Sequence, residues 1–172
     1  MAVSAIFVTA TAFLTGMIVG RRKEAQKRDV KYPIRDDERD ASGHDTLEDE
    51  AVVYDVGKRR TEEMLARFKT LMIEQKPYLN QKVSIESLAK SLGTNKTTLS
   101  KLVNDHYGLN FRQVLNSYRV KEAMLLLSKD KTISTEELRV ASGFNSISTF
   151  TSSFSRFTGC TPGEYLKKIS GR

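Results

Sequence analysis

A short pattern occurs twice in this chain, and that duplication limits the fold more than any other feature. At a shift of 50, Ser84, Glu86, Leu88 and Gly93 meet Ser134, Glu136, Leu138 and Gly143. Beyond the glycine the shift becomes 51, so Leu99, Val103, Gly108 and Leu115 meet Phe150, Phe154, Gly159 and Leu166. One residue has been added in the second turn. Self-similarity of this kind marks a supersecondary unit used twice. In the first copy Ser84 is a good N-cap for a helix over Ile85–Leu92, and Gly93 is a suitable stop. Leu88 and Leu92 face a core, and Ala89 is small enough to let a second helix cross closely. That second helix begins near Asn95 or Lys96, runs to about Tyr107 and is anchored by Leu99, Leu102 and Val103. Phe111–Ser128 then offers a longer connecting helix, with Phe111, Val114, Leu115, Tyr118, Ala123, Leu126 and Leu127 available for burial. No stretch alternates with a strand period. The expected fold class is all-α, with helix-turn-helix units over 84–107 and 134–158 joined by a linker helix over 111–128.

Ahead of the repeat, Met64, Leu65, Phe68, Leu71 and Met72 form one apolar stripe at helical spacing from Thr61 onward. Lys76-Pro77 ends that helix, because proline disfavours the helical region for the residue before it. Residues 21–60 are dense in both signs of charge, contain Pro33 and Gly43, and show little periodicity, which predicts a solvated, charged cytoplasmic linker. Ala2–Gly20 is an uncharged run of 19 residues that stops at Arg21-Arg22-Lys23. As a helix it would span about 28 Å, close to the ~30 Å hydrocarbon core. No basic residue precedes it and cations occupy the place of a cleavage region, so it is expected to be a transmembrane anchor over 1–20 rather than a secretory signal. The excess of Lys and Arg beyond it puts the remainder in the cytoplasm. The predicted localisation is therefore a single-pass protein of the inner membrane. Ala12, Gly16 and Gly20 form a small-residue stripe in that run, which leaves a homodimer open.

The net charge of +7 is unevenly placed: residues 1–60 are neutral, whereas residues 61–172 carry 17 Lys and Arg against 10 Asp and Glu. A folded domain with such an excess uses it on a polyanion or an acidic surface. In the first unit the outward positions are Asn95, Lys96, Thr97, Ser100, Lys101 and Asn104. All are polar, two are cationic and none is acidic, which suits phosphates and base edges in a major groove. The second unit offers Asn145, Ser146, Ser148, Thr151, Ser152, Ser155 and Arg156, a hydroxyl-rich face that discriminates bases less well.

Gly143-Phe144-Asn145, then Phe150, Phe154, Phe157-Thr-Gly159 and Thr161-Pro162-Gly-Glu-Tyr165 complete the pattern. Over about 76–168 the chain resembles the DNA-binding domain of the AraC (arabinose regulator) family of bacterial transcription factors, in a membrane-tethered form. The resemblance implies seven helices, double-stranded DNA as partner, transcriptional control and, with it, RNA polymerase as a further partner. Three residues depart from the family pattern. Arg139 stands in the place of a small residue, Ser142 in that of an apolar one, and Thr149 in that of a tyrosine. A guanidinium at 139 has to run outward or find Glu136, Glu137 or a helix-end carbonyl, which would widen the helix crossing and make alanine there neutral or stabilising.

Other function classes fare poorly. Cys160, the single cysteine, excludes a disulfide scaffold and has no histidine placed to activate it. His44 and His106 are isolated, and no phosphate-cradling loop or nucleophile motif occurs. No catalysis, no metal and no cofactor are expected. The expectation is a membrane-tethered, sequence-specific DNA-binding regulator. The rival readings are a non-catalytic protein-interaction scaffold and the output module of a larger membrane sensor.

Overall fold

The computed structural model describes residues 46–170, with side chains from Gly57 onward. Residues up to Ala66 and residues from Arg67 form two separate units. Helix α1, Thr46–Glu74, runs through that boundary. A 3-10 turn at Pro77–Leu79 follows, then α2 (Ile85–Ser91), α3 (Lys96–Tyr107), α4 (Phe111–Lys129), α5 (Thr135–Ala141), α6 (Ile147–Thr158) and α7 (Pro162–Ser170). Every element among the described residues is helical.

Two expectations need correction. The stretch read as a solvated linker is helical from Thr46, so its charges lie along a helix instead of a coil. The membrane tether is also withdrawn, together with the membrane partner and the inner-membrane localisation built on it. Among the described residues no helix is long and apolar enough to cross a membrane. The longest, α1, carries charged side chains from Glu48 to Glu74, and each charge at a bilayer centre costs several kcal/mol by the lowest scales, ~2.5–3.5. Ala2–Gly20, with its small-residue stripe, lies outside the described residues.

Local chemistry accounts for the start of each helix after α1 and for the ends of α3 and α6. Ser84 and Ser87 exchange backbone and hydroxyl hydrogen bonds at the start of α2, both 3.2 Å. Ser134 and Glu137 do the same at α5, at 3.2 and 3.0 Å. Reciprocal boxes recur between Asn110 and Gln113 at α4 and between Thr161 and Glu164 at α7. Such caps satisfy amides that have no partner inside the helix, and each contributes about 1 kcal/mol. Asn95 caps α3 and Ser146 caps α6, while Gly108 and Gly159 close those helices in the left-handed region at φ 63 and 77°. The cap residues therefore repeat at 50 before the turn and 51 after it, as the sequence does.

Helix α4 is the common support, packing against α3, the 3-10 turn, α5 and α6. Val120, Ala123 and Leu127 on α4 join Leu138, Phe144, Phe150 and Phe154 in one buried cluster. Phe154 also meets Tyr165 edge-on at 5.5 Å between ring centres, tying α7 to the cluster. On the first unit's side, Phe68 from α1 meets Tyr107 at 6.3 Å, and Leu88, Leu99 and Val103 are buried.

The two turns share a backbone and differ in what touches them. Thr94 N–H donates to the Ala89 carbonyl at 2.9 Å, and Phe144 N–H donates to the Arg139 carbonyl at 3.0 Å. Arg139 therefore leaves the turn unaltered. Its guanidinium forks onto both carboxylate oxygens of Glu136 and donates a further hydrogen bond to the Phe144 carbonyl. Ser142, fully buried, returns its hydroxyl to the Leu138 carbonyl at 2.6 Å. Both departures are locally satisfied, so the strain expected at 139 is absent. A Cβ on Gly93 would meet nothing within 4 Å, whereas one on Gly143 would lie 2.5 Å from the Tyr78 carbonyl oxygen and 2.8 Å from Leu79 Cα.

Two stability predictions follow from these contacts, both read by urea unfolding of the full chain. Gly93→Ala costs about 1–2 kcal/mol, the usual penalty for a side chain in the left-handed region, and Gly143→Ala costs ~3 kcal/mol or more because backbone must also move. Equal losses would show that the second turn tolerates displacement from residues 78–79. Arg139→Ala lowers the unfolding midpoint, the reverse of the expectation from sequence. Arg139→Lys recovers only part of the loss, since an ammonium cannot fork onto a carboxylate.

Candidate nucleic-acid interface

In the first unit the amphipathic pattern of α3 settles which side chains face outward. Leu99, Leu102, Val103 and Tyr107 are buried, so the opposite stripe of Thr97, Ser100, Lys101 and Asn104 is exposed. These four share one face because positions three and four apart neighbour each other on a helix. Asn95 is exposed too, and although its carboxamide oxygen accepts the Thr98 amide at 2.9 Å, its NH2 is free of that bond. Lys96 is not a bare cation. Its Nζ lies 2.7 Å from Oε1 of Glu86 across the turn. That ammonium, with the residue's own amide and the Ser84 hydroxyl, holds the Glu86 carboxyl down to about 2, so the carboxylate is ionised at neutral pH.

The second unit repeats the frame with other chemistry. Glu136 stands where Glu86 does, but Ile147 takes the place of Lys96, and Arg139 on the same helix supplies the cation. Arg139 holds the Glu136 carboxyl below its ordinary range. Of the expected readers, Asn145 donates from Nδ2 to the Gln81 carbonyl at 3.2 Å. Ser146 caps α6 and donates to Thr149 Oγ1 at 2.9 Å, and Ser152 donates to the Thr149 carbonyl at 3.2 Å. Ser148 is exposed, with its hydroxyl 3.3 Å from that of Ser146, and Arg156 is exposed near the end of α6. Thr151 and Ser155 are half-buried.

Three residues have roles that the sequence reading did not assign. Glu86 shows no signal on its own, because its partner is ten positions away and only the turn brings them together. Ser153 is buried and accepts a 3.2 Å hydrogen bond from Asn116 Nδ2, which pins α6 to α4. Ile147, the first residue of α6, is 47% exposed. An apolar residue preceding the Phe150–Phe154 stripe by three positions looks like core until the helix end is located.

The remaining candidates for chemistry fall away from this face. Cys160 is buried with its sulfur 3.8 Å from the Thr158 hydroxyl. His106 sits edge-on to Tyr107 at 4.7 Å, and His44 lies outside the described residues. Among the described residues no group of three His, Cys, Asp or Glu could hold a metal ion.

With this geometry in place, three comparisons bear on what the face is for. Residues 88–168 match the family model of a helix-turn-helix domain. The virulence regulon transcriptional activator VirF of Yersinia enterocolitica is 33% identical over 112 residues, 64% of this chain and 39% of VirF. The HTH-type transcriptional regulator ExsA of Pseudomonas aeruginosa is 34% identical over 89 residues, 51% of this chain and 31% of ExsA. Among solved structures, the transcriptional regulator CdpR from Pseudomonas aeruginosa superposes with a TM-score of 0.52 at 28% identity, covering 64% of this chain and 34% of that one. The match thus spans well under half the length of these regulators. All three carry names of transcriptional regulators.

Proposed function

We propose that the repeated domain reads double-stranded DNA in a sequence-specific way to regulate transcription, with α3 and α6 entering major grooves on one side of the duplex. The observation that carries this reading is the doubled cap–turn–cap frame mounted on one helix. Helix α4 has 19 residues and so spans about 28 Å, on the scale of the ~34 Å between successive major-groove faces on one side of B-DNA. The names of VirF and ExsA, as transcriptional regulators, favour the same reading.

In this reading the roles divide by what each side chain has left to offer. Lys101 is exposed and contacts a phosphate. Thr97, Ser100 and Asn104 reach base edges, since hydroxyls and carboxamides can donate and accept there. Asn95 offers its NH2 group, and Lys96 approaches the backbone only to the extent that Glu86 releases it. Ser148, Ser152 and Arg156 make the corresponding approach from the second unit. Glu86 thereby tempers sequence-independent attraction, because a paired ammonium displaces fewer counterions than a bare one.

The test is affinity for the duplexes that full-length protein retains from a random pool, measured across a salt series. Lys101→Ala weakens binding to every sequence and lowers the salt slope by about one. Asn104→Ala relaxes preference at one base position, and Ser152→Ala does less than either. Glu86→Gln strengthens binding to unrelated DNA and steepens the slope, narrowing the gap between specific and non-specific duplexes. Retention of no preferred sequence would refute the proposal.

A further inference from the structure

Ile147 is one of three large hydrophobic residues exposed among the described residues; the others are Ile73 on α1 and Val140 on α5. Only Ile147 opens a candidate recognition helix. Folding gives no evident reason for an isoleucine there. The helix is already anchored by Phe150 and Phe154, both fully buried. A β-branched residue also gains nothing in helix propensity. In the first unit the same place holds Lys96, a polar residue with a partner. Its neighbours at the front of α6 are meanwhile committed to the protein. Asn145 bonds to Gln81, and Ser146 caps the helix.

In the helix-turn-helix docking geometry the N-terminal residues of the second helix meet base edges. The major groove presents one apolar group, the C5-methyl of thymine. We infer that Ile147 is a specificity-determining residue of the second unit, selecting thymine by packing against its 5-methyl group. This rests on the DNA-reading function proposed above. It also assigns the second unit a mode of discrimination that its hydroxyl-rich face does not supply: contact with a methyl group in place of hydrogen bonds to the base edge.

Removing the methyl without altering base pairing isolates the contact. Full-length protein is first used to select preferred duplexes. Each thymine in those sites is then replaced singly by deoxyuridine. In the unaltered protein at least one replacement lowers affinity about three- to tenfold, the scale of one desolvated methyl group. Methylating C5 of cytosine in the T-to-C variant of that position raises affinity by a similar factor. Ile147→Ala binds the thymine and uracil duplexes equally while keeping its unfolding midpoint and salt slope, and Val140→Ser leaves the uracil response intact. Two results overturn the inference while leaving DNA reading in place. One is a selective protein indifferent to uracil at every position, and the other is an Ile147→Ala protein that keeps the full uracil response. Retention of no preferred duplex overturns the DNA-reading function, and this inference with it.

Discussion

The fold of the repeated domain depends on one buried guanidinium. Arg119 on α4 is 7% exposed and donates from Nε to the Tyr78 carbonyl at 2.7 Å and from Nη2 to the Asn80 carbonyl at 3.2 Å. Its charge lies over the Phe144 ring, 5.6 Å from the ring centre. A cation this far from water is tolerated only when its donors are matched. The carbonyls of a non-repetitive segment are suited to match them, and that of Asn80 accepts the Val83 amide as well, at 3.2 Å. Gly143 closes the same segment from the other side, against Tyr78 and Leu79. Residues 78–80 are thus gripped between the linker helix and the second turn.

A network nearby fixes how the chain enters that grip. Lys76 leaves α1 in the left-handed region at φ 47°, which a residue with a side chain adopts at a cost of about 1–2 kcal/mol. Its ammonium lies 3.0 Å from the Glu122 carboxylate, and the Tyr78 hydroxyl donates to the same carboxylate at 3.1 Å. The Tyr78 ring stacks on Tyr118 at 5.6 Å. Glu122, Arg119 and Tyr118 all project from α4, so one helix orders the segment before the first unit and supports both units after it. This joins the two candidate DNA faces to a single rod, which a reader of two grooves requires.

Identical frames carry different faces because the frame is made by caps and turns that leave the outer positions unconstrained. The first unit pairs Glu86 with a cation on α3, Lys96. The second pairs Glu136 with Arg139 on the same helix, which leaves the front of α6 to an isoleucine. The exchange preserves a paired glutamate at 86 and 136 while altering what each unit can offer a base pair.

Much of this is legible in the sequence. Ser84, Ser134, Asn110 and Thr161 act on amides three residues away, Gly93, Gly108, Gly143 and Gly159 act on their own backbone, and the Leu and Phe spacings act within a helix. Such effects depend on near neighbours in sequence, so a local pattern reports them. The outward face of α3 follows from the same spacing. The charges of residues 46–60, by contrast, concealed a helix, because a dense mixture of charges has no apolar stripe to mark it.

What only the tertiary structure decided involves partners far apart in the chain. Arg119 reaches back to Tyr78 and Asn80, Asn145 reaches Gln81, and Gly143 is required by the Leu79 backbone rather than by its turn alone. Lys96 is bound to Glu86 across a turn, and Arg139, a misfit by local pattern, is satisfied by Glu136 and the Phe144 carbonyl. Ile147, at the start of α6, lies outside the core. The sequence by itself determined the repeated helices and where they end, since caps, turns and periodicity are short-range. The tertiary structure decided which polar groups remain available at the surface, because hydrogen bonds and ion pairs depend on distance in space.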